Sequence, residues 1–184
     1  MTITEAIAKR KSLRAYLDRQ IPADDLDKII EAGRCAPNAG PFGISVIRRA
    51  DLRKKVNDRT LDAMIHSGIE FLQQRAALPG YQPLYGAPML ILLSDPDNSP
   101  YGALNAALAA ENMLLEATAR GLGSCFLVSP TLALNGAKNS DLAREAGIPE
   151  GYSLTCAVIV GYAAAEDKYT APERSRKGTV RFVD

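Results

Sequence analysis

The chain has 184 residues, with 22 Lys plus Arg against 21 Asp plus Glu, so its formal net charge is +1. Apolar residues make up 47% and charged residues 23%, a globular composition of a length that one domain, residues 1–184, accommodates, and the near-neutral balance argues against a general nucleic-acid binder. Three cysteines without a C-x-x-C pair point to a reducing compartment with no disulfide framework, and one histidine, His66, leaves little for Ser-His-Asp chemistry or a multi-histidine metal site.

In chain order, Thr2 and Glu5 form a T-x-x-E capping pattern that predicts a first helix, with Ile3 and Ile7 one turn apart on its apolar stripe. No secretory leader is expected, because the basic residues of this N-terminus follow its apolar ones. Pro22 and the acidic pair Asp24-Asp25 open a second helix, which Pro37 closes by pushing its predecessor out of helical geometry. Asn38 to Gly43 is turn-forming, and Ile44–Ile47 reads as a short strand. Asp51 to about Leu78 reads as one long helical stretch, with His66 inside it as a surface or packing residue.

Met89–Leu93 is a continuous apolar run between Pro88 and Pro96, the pattern of a strand buried on both faces. Tyr101 to Arg120 is the strongest helix. Its small residues from Ala106 to Ala110 suit a close helix–helix interface between subunits, and its polar interruptions exclude a membrane span. Ser124–Val128 and Leu154–Val160 are further apolar strands, and Ser140–Ala146 is a short helix. The chain ends in the alternating Thr179-Val180-Arg181-Phe182-Val183. Four or five strands irregularly mixed with helices predict α/β or α+β architecture with helices on both sheet faces, and disfavour a doubly wound sheet. The expected setting is the cytoplasm, with no membrane partner.

No G-x-G-x-x-G, Walker A, G-x-S-x-G or H-E-x-x-H motif is present. Positive charge is instead concentrated at the two ends. Lys9, Arg10, Lys11, Arg14 and Arg19 surround Ser12, while Lys168, Arg174, Arg176, Lys177 and Arg181 surround Ser175. Arginine suits bidentate phosphate contact, so the two clusters would make an anion pocket if the ends met; the alternative is solvated surface charge. Ser124 and Cys125 read as structural, with no base near them in sequence.

Five segments taken in order change the balance. Arg10-Lys11-Ser12-Leu13-Arg14-Ala15-Tyr16, Ala36-Pro37-Asn38, Ala87-Pro88-Met89-Leu90-Ile91, the helix around Ala109 to Ala117, and Gly121-Leu122-Gly123-Ser124-Cys125 together resemble the nitroreductase family of flavin enzymes. The resemblance implies an α+β fold with a central, mainly antiparallel sheet flanked by helices. It also implies an intertwined homodimer with two interfacial sites, and tails that embrace the partner. FMN is the implied cofactor and NAD(P)H the implied reductant. FMN would be held through its phosphate and ribityl chain by Arg10, Lys11, Ser12 and Arg14, with Arg174 and Arg176 from the tail.

The resemblance further implies that Asn38 reaches the flavin from the other subunit and that Val128 and Ser129 face its ring near N5. The expected reaction is ping-pong hydride transfer to a small organic acceptor (a nitro compound, quinone, enone or flavin), with no side chain required as acid or base. A flavin-binding carrier or sensor with little turnover is the alternative. Where many relatives continue with N-x-Q-P-W, this chain has Asn38-Ala39-Gly40-Pro41-Phe42-Gly43, which sets its acceptor pocket apart.

Overall fold

The structure is a computed structural model, and it describes residues 1–136, 140–164 and 178–183. Helix α1 (Ile3–Lys9) starts at the predicted capping box: Glu5 N donates to Thr2 Oγ1 at 3.3 Å and Thr2 N donates to Glu5 Oε2 at 2.7 Å. Helix α2 (Ala23–Arg34) buries Leu26, Ile29 and Gly33 and stops short of Pro37. Strand β1 (Gly43–Ile47) follows the turn.

The stretch predicted as one helix is two, α3 (Ala50–Ile65) and α4 (Glu70–Ala76). The break falls at Gly68, whose φ of 69° lies in the left-handed region that ends a right-handed helix. The apolar spacing runs straight through it, which is why periodicity alone joined the two. His66 caps the end of α3 and is exposed, its Nδ1 2.9 Å from the Asp62 carbonyl.

Strand β2 (Met89–Pro96), helix α5 (Gly102–Ala119), strand β3 (Gly123–Leu127), short helices α6 (Thr131–Leu134) and α7 (Ser140–Glu145), and strand β4 (Tyr152–Gly161) complete the described elements. The sheet order is β1-β2-β4-β3 and every pairing is antiparallel, giving an α+β architecture. The central strands are buried on both faces, as the unbroken apolar runs required. Met89, Ile91, Leu93, Cys156, Val158 and Val160 enter a core with α2 and α5, while Leu90, Leu92, Ala157 and Ile159 enter a second core with α3, α6 and α7. At ~1.5–3 kcal/mol for each fully buried large aliphatic, these two strands contribute a large part of the hydrophobic stabilisation.

Ala106, Ala109 and Ala110 of α5 face the protein's own core against α2, so the close approach they permit is internal to the chain. Leu104 and Leu108 of α5 are exposed instead, as are Ile3 and Ile7 of α1, a helix that packs on α5. Residues 179–183 do not join the sheet, and Val180, Phe182 and Val183 expose 76%, 88% and 95% of their surface. Alternation marks a strand without naming the sheet that accepts it. Among the described residues no helix is long and apolar enough to cross a membrane.

Candidate functional site

The N-terminal basic segment is laid along the outer edge of β3. The chain leaves α1 at Arg10, whose N–H still bonds Ala6 O at 2.8 Å. Ser12 then pairs in parallel with Ser124, and Leu13 N donates to Ser124 O at 2.9 Å. The segment continues past the end of β4, where Leu17 N donates to Tyr162 O at 3.0 Å and Ala164 N to Ala15 O at 3.0 Å. Gly123 makes this approach possible: a Cβ there would lie 2.0 Å from Leu13 Cδ2. The edge of β3 is thereby covered, and side chains of residues 10–14 are fixed at one end of the sheet.

Arg10 is folded inward, its side chain 12% exposed, and its Nε lies 3.6 Å from the Glu111 carboxylate on α5. That Nε is buried and makes no hydrogen bond. Arg14 turns its Nη1 to the Ser12 carbonyl at 3.4 Å. The buried thiol of Cys125 on β3 lies within this group. Burial pushes its pKa up, while Arg14, the Ser12 hydroxyl, Arg10 and Arg75 pull it back. Lys11 is exposed beside them.

Arg75 was not singled out by the sequence reading, because it sits on α4 inside what reads as continuous helix. Its Nη2 donates to Tyr85 Oη at 2.7 Å and its Nε to Tyr81 Oη at 3.3 Å, and the guanidinium lies over the Tyr81 ring. Burial raises the Tyr81 phenol well above its ordinary value, so it stays neutral and keeps the clamp intact. Three guanidinium groups, two from the N-terminal segment and one from α4, thus lie together about the Cys125 thiol of β3. Only the tertiary fold shows this, since no spacing links positions 10, 14 and 75.

Val128 and Ser129 fall just past the end of β3, Val128 exposed and Ser129 half-buried. The carbonyls of Val128 and Ser129 accept from Thr131 and Leu132 at 2.9 and 3.1 Å, which fixes the turn, while the Ser129 N–H takes no part in the turn's backbone bonds. Asn38 lies elsewhere, exposed before β1 at the opposite edge of the sheet, with its Nδ2 on the Ala36 carbonyl at 3.2 Å. Within one chain, therefore, Asn38 and the arginine group do not share an edge. Arg174 and Arg176 lie outside the described residues, as do Lys168, Ser175 and Lys177. Ser124 and Cys125 are buried structural residues, as expected, although Ser124 Oγ makes no hydrogen bond.

The fold and this site define an α+β protein with a cationic cradle built on a sheet edge. The match to known proteins extends along the chain. A family model described as "Nitroreductase family" matches residues 7–162. A protein of Archaeoglobus fulgidus, provisionally named an NADH dehydrogenase/NAD(P)H nitroreductase, is 30% identical over 91% of this chain and 90% of its own. A crystal structure of a nitroreductase with bound FMN from Bacteroides fragilis superposes with a TM-score of 0.88 and 30% identity, covering all of both chains. A second FMN-bound nitroreductase, from Desulfitobacterium hafniense, shares the fold at a TM-score of 0.86 and 23% identity, again over all of both chains. The chain belongs to the nitroreductase family.

Proposed function

We propose that this chain binds FMN at the β3 edge and works as an NAD(P)H-dependent oxidoreductase. The observation that carries the reading is Arg10, whose buried Nε has no hydrogen-bond partner and lies 3.6 Å from Glu111, grouped with Arg14 and Arg75 about the Cys125 thiol. A cationic group of this kind fits a phosphate dianion, which would accept charge-assisted hydrogen bonds at that orphaned site. Arg10, Lys11, Ser12 and Arg14 would hold the cofactor, joined by Arg174 and Arg176 of the tail. Bound FMN supplies hydride chemistry, from NAD(P)H to a small organic acceptor in two separate encounters.

The protein's own part is positional and electrostatic. The turn after β3 presents the Ser129 N–H where a ring nitrogen can accept from it, with Val128 exposed alongside. The guanidiniums of Arg14 and Arg75 favour negative charge in their neighbourhood. No side chain at the site needs to move a proton, and His66 is an exposed residue capping α3. Nitro compounds, quinones, enones and free flavin all remain candidate acceptors for a pocket walled by the Asn38–Gly43 loop.

We further infer a homodimer. Asn38 can complete a flavin pocket only from a second chain if it belongs to one, because it lies at the opposite sheet edge from Arg10. Leu104 and Leu108 on α5, with Ile3 and Ile7 on α1, leave apolar surface in the open. The outer edge of β1 also pairs with no strand among the described residues, and the alternating, exposed residues 179–183 suit the edge of another chain's sheet. The free thiols Cys35, Cys125 and Cys156 fit a reducing, cytoplasmic setting.

The deciding experiment is the visible spectrum of the purified protein, with identification of the cofactor released on denaturation. FMN at one per chain is expected. Colourless protein that does not quench FMN fluorescence on titration would end the reading. The carrier or sensor alternative, favoured by the altered Asn38–Gly43 loop, is separated by stopped flow. Rapid bleaching by NADH or NADPH, followed by recovery with an acceptor, excludes it.

A further inference from the structure

In the loop from Asn38 to Gly43, Phe42 packs against the core, while residues 38–41 before it are exposed. The exposed stretch is nevertheless tied down from inside. Asn105, on the first turns of α5 and 2% exposed, accepts from Ala39 N through Oδ1 at 2.9 Å and donates from Nδ2 to Ala39 O at 3.1 Å. One side-chain amide thus satisfies both polar groups of one backbone unit, the pairing a neighbouring strand would provide. The same Nδ2 also reaches Asp95 Oδ1 at 3.3 Å. Asp95 ends β2, is 3% exposed, and accepts from Thr155 Oγ1 at 3.0 Å on its other oxygen. The carboxylate fixes which way the amide faces: an Asn flipped by half a turn would set its oxygen against Asp95 and its nitrogen against the Ala39 N–H.

We propose that Asn105, oriented by Asp95, is a positioning residue that sets the Asn38–Gly43 loop as one wall of the acceptor pocket. The inference rests on the flavin-enzyme reading above. It names a determinant which the loop's own sequence does not contain. A threonine on β4 holds a buried acid on β2, the acid orients a buried amide on α5, and that amide alone holds a single exposed loop residue. A loop needing only to connect α2 to β1 would require none of them. Buried polar groups that are fully paired in this way specify one geometry. The loop they hold is the segment where this chain departs from the N-x-Q-P-W pattern of many relatives.

The test compares two asparagines of the same helix. Asn112 also binds a backbone carbonyl, Ala32 O at 3.0 Å, but on α2 and away from the loop. With FMN saturating and a quinone as the acceptor, Asn105→Ala is expected to raise the acceptor KM by about tenfold with kcat changed by less than about twofold, the signature of lost positioning. Asn112→Ala is expected to lower thermal stability by a similar amount and leave KM within about twofold. Equal KM values for the two variants overturn the proposal. A hydrogen-exchange measurement on the unaltered FMN-loaded protein guards against a variant that does not fold: the Ala39 amide should be protected although its residue is exposed, and rapid exchange there overturns the proposal as well. A wild-type protein that binds no FMN defeats the underlying reading instead, and the Ala39 measurement on that protein still reports on the clamp.

Discussion

The two edges of the sheet are treated in opposite ways. At β3 the chain pairs its own Ser12 and Leu13 with Ser124 and places charge there; at β1 the edge pairs with no strand among the described residues and borders an apolar groove of about 460 Å³ lined by Ile30, Phe42, Ile44 and Val46 with Arg34. A sealed edge can hold a charged ligand in fixed geometry, because its backbone is already satisfied. An open, apolar edge asks for another strand. One edge of the sheet thus carries grouped positive charge, and the other carries an open apolar surface.

Removing the charge from the sealed edge should have the largest effect. Arg10→Ala with Arg14→Ala deletes two charge-assisted contacts worth ~1.5–3 kcal/mol each, so the FMN Kd should rise by roughly two to four orders of magnitude in fluorescence titration. A change below about tenfold would place the phosphate elsewhere. On the other side, Leu104→Glu with Leu108→Glu alters side chains that are 61% and 47% exposed in the single chain. The circular dichroism should stay near wild type, while sedimentation at micromolar concentration should shift from dimer to monomer.

A subtler probe of the sealed edge is Gly123→Val. Its side chain meets Leu13, so stability in urea should fall by ~1–3 kcal/mol and FMN affinity should fall with it. Adding Leu13→Ala should return part of both losses, which no remote effect would do.

The smallest effect concerns the core between the edges. Burial, reinforced by the Asp95 carboxylate, pushes the Cys156 thiol up to about 12, against about 8.5 for an unperturbed thiol. Below pH 8.5 both folded and unfolded thiols are protonated, and stability does not depend on this group. Between about 8.5 and 12 only the unfolded thiol ionises, so stability falls as pH rises. Cys156→Ala should flatten this alkaline slope in urea titrations at pH 8 and pH 10. An unchanged slope would assign it to other groups, including Cys125 and Tyr81, whose pKa values burial also raises.

The local signals were strong wherever one residue type forces one geometry. Thr2 and Glu5 define the start of α1, Pro37 limits α2, and the uninterrupted Met89–Leu93 run defines a doubly buried strand. Spacing failed at Gly68, because a single left-handed residue costs the apolar pattern nothing yet splits α3 from α4. It also misdirected the alanines of α5: small residues announce close approach but carry no information on whether the neighbour is α2 or another molecule. The first basic cluster was legible as charge, yet Arg75, Glu111 and the Tyr81–Tyr85 clamp have no sequence signal, since they reach the site from separate elements.

The sequence by itself determined the start of α1 and the limits of α2, the buried strands, the basic segment at residues 9–14 and the family to which these belong, because each depends on neighbours along the chain. Tertiary structure alone decided that this segment pairs with β3 and that Arg75 joins it, and it set Asn38 at the far edge beside Ala39, which Asn105 holds. Those contacts join residues tens of positions apart, and only the closing of a common core brings such residues within hydrogen-bonding distance.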